Sequence, residues 1–431
     1  MQALSFRRPE APKNIVNAMG EYQAMLDAIR DGLINKTKAE IPFDPTERAY
    51  HIKGFGYFSD ASMIGICRLD DQAILADPIQ NPDIERLAHA LRTRQTKTLA
   101  SGIDVIMADL KDSMEAPPTS IDGHTHAIVF LYENPRDLMP NEVGCDWLED
   151  AHAHRACLRA NETAAVIANY IRLLGYDAKS HSGAACDVDL NKLALTSGLV
   201  WADQGELIAP YIGKNFGLGV ITTTLDLATD RPLAPRAEQP WFKTQGPAWW
   251  LGKGFSKNAF NRDPFSKRKF VDGPHPFENL KRVETPTTYI DEARVARVPK
   301  RTDMFARAQF GDMGKKLQEG AKGGYYARKA APSCAQRRAL GAFVLLQDGE
   351  ANENGARPDD LAQNAANIKA ASYFLGVDAV GLSRCPDWTW YSHDATGAVL
   401  DPPHNNAVSM IIDQGYETME GASGDDWISV A

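Results

Sequence analysis

The sequence has no apolar run near the about 18 residues that a helix needs to cross a bilayer, so no transmembrane helix and no membrane partner are expected. Cysteine is scarce. Cys67, Cys145, Cys157, Cys186, Cys334 and Cys385 are scattered over 431 residues, and no two of them form a CxxC pair. That spacing excludes a disulfide framework and lacks the cysteine run that crowds four thiolates around an iron–sulfur cluster. Free thiols in a reducing, cytoplasmic compartment are the expectation. The Arg7-Arg8 pair resembles the start of a twin-arginine export signal, but residues 10–20 carry charges and prolines in place of an apolar core, so export is not expected.

What is present is ordinary for a globular chain, 44% hydrophobic and 24% charged, with length for two or three domains. The net charge of −9 is unevenly spread. Residues 241–345 hold 21 Lys and Arg against 9 Asp and Glu, a local +12 that leaves −21 for the rest. A basic segment between acidic parts suits either nucleic acid or internal docking. No nucleic-acid-binding motif accompanies it, so it is read as docking on the chain's own acidic domains, with no nucleic-acid partner.

Periodicity divides the chain into four segments. In 1–47, Ile15, Met19, Tyr22, Met25, Leu26, Ile29 and Leu33 recur at helical spacing, which predicts an amphipathic helical segment packed on the body. Residues 48–235 alternate α and β. Strands are predicted at Met63–Cys67, Ala127–Tyr132, Tyr176–Ser180 and Gly219–Leu225, and a helix at 152–174 ending near Gly175. Residues 236–340 form a basic, wrapping linker. It is pinned by Trp241, Trp249, Trp250, Phe255, Phe260, Phe265 and Phe270, with short helices near 301–320. Residues 341–431 return to α/β, with strands at Ala342–Leu346, Ala379–Leu382 and a buried one at Ala407–Ile412. A helix over Pro358–Leu375 has Asp359 and Asp360 in its first turn, where negative charge suits the helix dipole.

The last segment restarts the second. Ile52, Lys53, Tyr57, Phe58, Gly65 and Arg68 recur as Ile368, Lys369, Tyr373, Phe374, Gly381 and Arg384, all at an offset of 316. His124, Ala127, Met139, Gly144, Asp146 and Trp147 recur as His404, Ala407, Met419, Gly424, Asp426 and Trp427 at an offset of 280. The first copy therefore carries 36 extra residues, placed within Pro78–Ser120. A period above 300 residues means two domains of one fold, not a solenoid. The second copy runs out soon after Trp427, so it is expected to be incomplete.

The series Ala164–Ala168, Arg172–Ala178, His181-Ser182, Gly205–Gly213, Gly219–Thr224 and Asp230-Arg231-Pro232 resembles the reductive dehalogenases, in their soluble catabolic branch. Epoxyqueuosine reductases share the pattern more distantly. The resemblance implies a nitroreductase-like cobalamin-domain fold of α/β (α+β) type, with a degenerate first copy at 48–235 and a working second copy. It also implies cobalamin, two 4Fe–4S clusters in a ferredoxin-like tail, a halogenated small-molecule substrate and an electron-donor protein for the full-length enzyme, with a tyrosine as proton donor and a basic residue lowering its pKa. Aligned here, the tyrosine position falls near Cys157 and the basic position near Gly217, and neither residue can play that part. No catalytic, cofactor-binding or metal residue is therefore assigned, and this chain alone is expected to hold no cofactor. A stand-alone scaffold that caps a partner and a flavin-binding nitroreductase-like protein remain as alternatives.

Among chemical candidates, Trp388, Trp390, Tyr391 and His393 form the richest polar–aromatic cluster, either lining an approach to a cofactor or packing a loop; Tyr325 and Tyr326 are a weaker version. His152 and His154 are turned about 200° apart on a helix, which places them on its surface and not on one ion. His124 and His126 lie on one face of a strand edge and read as packing. The glycines of Gly213–Gly219 precede a strand, so they mark a turn or backbone crowding and not a phosphate loop.

Overall fold

The computed structural model describes residues 4–93, 119–135, 138, 141–234, 276–321, 335, 339–341, 343, 360–394, 397–402 and 404–412. The predicted strand at Ala342–Leu346, apart from Phe343, lies outside the described residues, as do the linker anchors from Trp241 to Phe270, Tyr325, Tyr326, and the repeat positions Met139, Met419, Gly424, Asp426 and Trp427. Among the described residues no helix is long and apolar enough to cross a membrane.

The central sheet has four strands in the order β1-β3-β8-β4, all antiparallel. These are β1 (Met63–Arg68), β3 (His126–Glu133), β4 (Ala178–His181) and β8 (Phe216–Thr223). The unbroken apolar run of β3 is explained by cover on both faces. Ile128, Phe130 and Tyr132 enter one core with Phe55, Ile66, Ile167, Ile171 and Ile221. Ala127, Val129 and Leu131 enter another with Cys67, Leu193, Leu218 and Val220. Alternation along a strand sends neighbours to opposite faces, and each large side chain so buried contributes roughly 1.5–3 kcal/mol.

Helices cover the first face: α1 (Val16–Ala28), α2 (Pro45–Phe58) and the long α5 (His152–Leu173). The helical periodicity of 1–47 is thus realised in α1, whose Met19, Met25 and Leu26 are buried, while Leu33 is 52% exposed beyond its end. Asp44 caps α2 by accepting from Thr46 N–H at 2.8 Å, with Pro45 in the first turn. Helix α3 (Ile84–Thr93) and the short α4 (Cys145–Leu148) flank this layer. On the second face lies α6 (Leu190–Thr196), capped by Asp189. Two small ribbons, β2 (Ile74–Ile79) with β5 (Cys186–Val188) and β6 (Trp201–Asp203) with β7 (Glu206–Ile208), lie beside the sheet.

Crowding explains the glycines of β8. A Cβ on Gly217 would stand 2.3 Å from the Cys157 nitrogen, and one on Gly219 2.3 Å from the Ala160 oxygen. Only glycine lets α5 lie this close to the strand. The strand starts at Phe216, earlier than the β-branched run suggested, because Gly217 pairs in register with Tyr132.

The later segment begins with α7 (Met304–Gln309) and α8 (Lys315–Ala321), within the span predicted to hold short helices. Next come α9 (Leu361–Leu375), β9 (Ala379–Arg384) and β10 (Asn406–Ile411). Asp360 caps α9 through Ala362 N–H at 2.8 Å and Gln363 N–H at 3.3 Å, and Gly376 ends it at φ 110°. Shifting α2 and β1 by 316 gives 361–374 and 379–384, and shifting His126 by 280 gives Asn406, the first residue of β10. The pairs Met63↔Leu131 and Arg68↔His126 become Ala379↔Ile411 and Arg384↔Asn406, which are the pairs that β9 and β10 make.

The covers differ. The strand predicted as buried at Ala407–Ile412 is instead open: Val408 is 43%, Met410 55% and Ile411 64% exposed. In the first sheet β8 and α5 cover the corresponding strand; β10 pairs only with β9 among the described residues. Helix α9 leans on the first sheet's layer through Phe374, packed near Met19, Leu26, Leu158 and Ala165, and through Arg155, which donates to the Leu375 carbonyl.

Candidate functional site

The richest buried polar cluster joins α1, β4 and β8. Thr222 Oγ1 lies 2.7 Å from His124 Nδ1 and 2.8 Å from His181 Nε2. His181 Nδ1 accepts the Asp187 N–H at 3.3 Å, which places that ring's proton on Nε2. Thr222 then accepts from His181 and donates to His124, whose Nε2 faces Asp177 Oδ2 at 3.3 Å. Burial holds His181 well below the ordinary histidine range, reinforced by the Arg30 guanidinium.

Beside the relay, Arg30 donates to Asp187 Oδ1 at 2.8 Å, and Lys179 sits 2.8 Å from Asp187 Oδ2 and 3.6 Å from Asp31. Burial first, then contacts with Asn81, Ser182, Gln23 and Arg30 that pull the other way, leave Asp27 raised to about 6. Asp27, Arg30, Lys179, His181 and Asp187 are all under 9% exposed. They tie α1 to β4 and β5 out of reach of a substrate, which is a structural role.

The histidines read as candidates resolve differently. His154, expected on the helix surface, is buried at 4% exposure. Its Nε2 lies 2.9 Å from the Ser5 carbonyl and its ring meets Phe6 edge-on at 5.1 Å, because the N-terminal segment folds across α5. His126 is buried beside Asp226 at 3.7 Å, a packing role. Among the described residues no group of three His, Cys, Asp or Glu side chains is placed to hold a metal ion.

In the later segment, Trp388 stands in a short 3-10 turn after β9, and Trp390, Tyr391 and His393 follow it. The structure brings these four into one loop and fastens it to residues 297–303. Arg297 donates to the carbonyls of Trp390, Tyr391 and Leu400 at 3.3, 2.7 and 2.6 Å. Tyr391 Oη donates to Asp303 Oδ2 at 3.1 Å, and Lys300 N–H to the His393 carbonyl at 3.0 Å. The indole N–H groups of Trp388 and Trp390 are out of solvent with no partner among the described residues.

A cleft of about 460 Å³ opens beside this loop, where β9 ends and β10 begins. It is lined by Cys385, Asp387, Pro402, His404, Asn405 and Asn406, so none of the four predicted residues forms its wall. Trp390 comes nearest, with its ring 6.3 Å from that of His404. Sequence reasoning missed Arg297 and Cys385. His404 was visible only as a repeat position, the counterpart of His124.

No family model matches the chain, and no curated protein matches it. Solved structures do. The catabolic reductive dehalogenase NpRdhA superposes with a TM-score of 0.74 at 32% identity, over 97% of this chain and 54% of that one. Over nearly its whole length the chain is similar to reductive dehalogenases. It spans about half the length of the solved dehalogenase chains it matches. NpRdhA in complex with 3-bromo-4-hydroxybenzoic acid matches with a TM-score of 0.75 at 33% identity, with the same shares covered. A further reductive dehalogenase structure, described for B12-dependent dehalogenation, matches at 0.74 and 32%. Epoxyqueuosine reductase matches at 11% identity and a TM-score of 0.28, from which nothing follows.

Beside Cys157 and Gly217 the described residues do not fit the cobalamin that the resemblance implies. Among the described residues, Cys67, Cys145, Cys157, Cys186 and Cys385 form no disulfide and do not gather into a cluster-binding set. In the first sheet's layer, Cys157 and Gly217, near which the tyrosine and basic positions were expected, lie so close that a Cβ on Gly217 would stand 2.3 Å from the Cys157 nitrogen. The cavity beside Cys157 measures about 200 Å³, below even the roughly 300–1,000 Å³ of drug-sized ligand sites. A corrin ring has no place there.

Proposed function

We propose that this chain is the portion of a cobalamin-dependent reductive dehalogenase that carries a non-catalytic first unit, residues 48–235, and the opening α9-β9-β10 of a second, working unit. The observation that carries the reading is the 32–34% identity over 97% of the chain to solved dehalogenases of about twice its span. The duplication it requires is supported by α2-β1-β3 and α9-β9-β10, which share boundaries, an aspartate cap and strand register under the two offsets found in the sequence. Cys157 against Gly217 supports a first unit that positions and covers, and carries no reaction.

On this reading the described residues perform no chemical step. They bury the first sheet, brace α9, and hold the Trp388–His393 loop beside the cleft at β9. Cobalamin, when bound in the complete enzyme, supplies the reductive chemistry, with electrons delivered through iron–sulfur clusters from a donor protein. The substrate class is a halogenated aromatic, in line with the bromophenol acid bound by NpRdhA.

The test is a hybrid in which this chain is joined to the part of NpRdhA it does not cover, assembled anaerobically with cobalamin, iron and sulfide. Bromide release from 3-bromo-4-hydroxybenzoic acid is expected. A folded, cobalamin-loaded hybrid that releases none overturns the reading. A flavin spectrum in the purified chain, in place of a cobalamin one, would favour the nitroreductase-like alternative.

A further inference from the structure

The N-terminal segment covers a cavity of about 200 Å³ between α5, the β2–β5 ribbon and β8. Its position alone does not say what it holds, but its walls are informative. Leu4, Phe6, Leu75, Ile79, Val188 and Leu218 make it chiefly apolar. An engineered apolar cavity of about 150 Å³ is large enough for benzene, so one aromatic ring fits here and a bicyclic cofactor does not.

Charge is handled restrictively. The one ionisable carboxylate of the wall, Asp189, is committed to capping α6, accepting from the N–H groups of Asn191 and Lys192 at 3.0 and 3.1 Å. Among the described residues no cationic side chain lines the cavity, so an anionic ligand would be desolvated beside a carboxylate with nothing to pair with. The wall therefore disfavours an anion, and its one carboxylate is already engaged at the α6 N-terminus.

Cys157 and Cys186 belong to the same wall. Burial raises both to about 11, so they are neutral thiols and not nucleophiles. Neutral sulfur and the Phe6 ring suit an aromatic occupant, through sulfur–aromatic and edge-to-face contacts. The remaining polar wall residue on α5 is Asn161, 4% exposed. Its Nδ2 donates to Gln23 Oε1 at 2.8 Å, while its Oδ1 is buried and meets no donor among the described residues. A buried acceptor without a donor is costly, and a ligand hydroxyl at that end removes the deficit.

We propose that this cavity is a binding site for a small uncharged aromatic hydroxy compound, of one ring, held beneath the Leu4–Phe6 strap. It is separate from any site of dehalogenation. Its walls come from residues 75–218 and from the N-terminal strap, and its occupant secures the strap, which is already fastened by the Ser5 carbonyl to His154.

The test titrates 4-fluorophenol, fluorobenzene and 4-fluorobenzoate into the full chain with fluorine NMR as readout. Saturable binding of 4-fluorophenol is expected, about tenfold tighter than fluorobenzene for the extra hydrogen bond, with no binding of 4-fluorobenzoate. Ile79→Trp fills the cavity from a residue that is already 42% exposed, so it leaves the fold intact by circular dichroism and weakens 4-fluorophenol by about tenfold or more. Hydrogen exchange at residues 4–10 should slow with 4-fluorophenol in the parent chain and not in Ile79→Trp. Absence of saturable binding, unchanged binding in Ile79→Trp, or equal binding of the benzoate overturns the proposal. None of these readouts uses cobalamin or halide release, so this proposal and the dehalogenase reading stand or fall separately.

Discussion

Gly217→Ala tests the close packing of α5 on β8, on which the proposed non-catalytic role of the first unit leans. The added Cβ would lie 2.3 Å from the Cys157 nitrogen, 2.5 Å from the Ala156 carbonyl carbon and 2.7 Å from the Cys157 Cα. All three are backbone atoms of a 22-residue helix packed on the sheet, so no side chain can rotate away. Overpacking of a core costs about 1–3 kcal/mol, and a rigid backbone neighbour puts this change at about 2–3 kcal/mol. With a urea dependence of about 2–3 kcal/mol per molar, the transition moves down by about 1 M. The control is Gly381→Ala in β9. A Cβ there meets nothing within 4 Å, so the substitution should be neutral or slightly stabilising by restricting the unfolded chain. Circular dichroism during urea unfolding reads both. Equal transitions for Gly217→Ala and Gly381→Ala would refute the claim that α5 closes on β8 without room for a side chain.

Two further outcomes follow from the buried relay. Thr222→Val removes the hydroxyl between His124 and His181 and leaves two buried ring nitrogens unpaired, a loss of about 2–5 kcal/mol; a loss under about 0.5 kcal/mol in urea unfolding would contradict the relay. On acidification, His154 and His181, both depressed chiefly by burial, stay neutral in the folded chain while the unfolded chain takes up protons below about 6.5. Stability therefore falls as pH drops below about 6.5, by up to about 1.4 kcal/mol per pH unit for each histidine. Asp27, raised to about 6, acts oppositely. The folded chain binds its proton first, which returns some stability as pH falls through 6. Urea midpoints between pH 8 and 5 should decline less steeply in His181→Gln than in the parent; equal slopes would sink the assignment.

Much of the fold was legible. Apolar runs marked β1 and β3, and helical spacing marked α1 and α5. Burial was less legible, because it depends on partners distant in sequence. The apolar alternation of Val408 and Met410 matches that of a covered strand, yet cover comes from other elements and not from the strand itself. His154 misled for the same reason: the Leu4–Phe6 segment that buries it is about 150 residues away. The Trp388–His393 cluster was found as a cluster, but its fastening by Arg297 was invisible, since one guanidinium reaching three carbonyls leaves no local pattern.

The account rests most directly on the absence of a corrin-sized place among the described residues beside Cys157 and Gly217. Incubate the chain with excess cobalamin under reducing conditions, desalt it, and record the visible spectrum against protein concentration. Well under one cobalamin per chain is predicted. Stoichiometric retention that survives desalting would contradict the account.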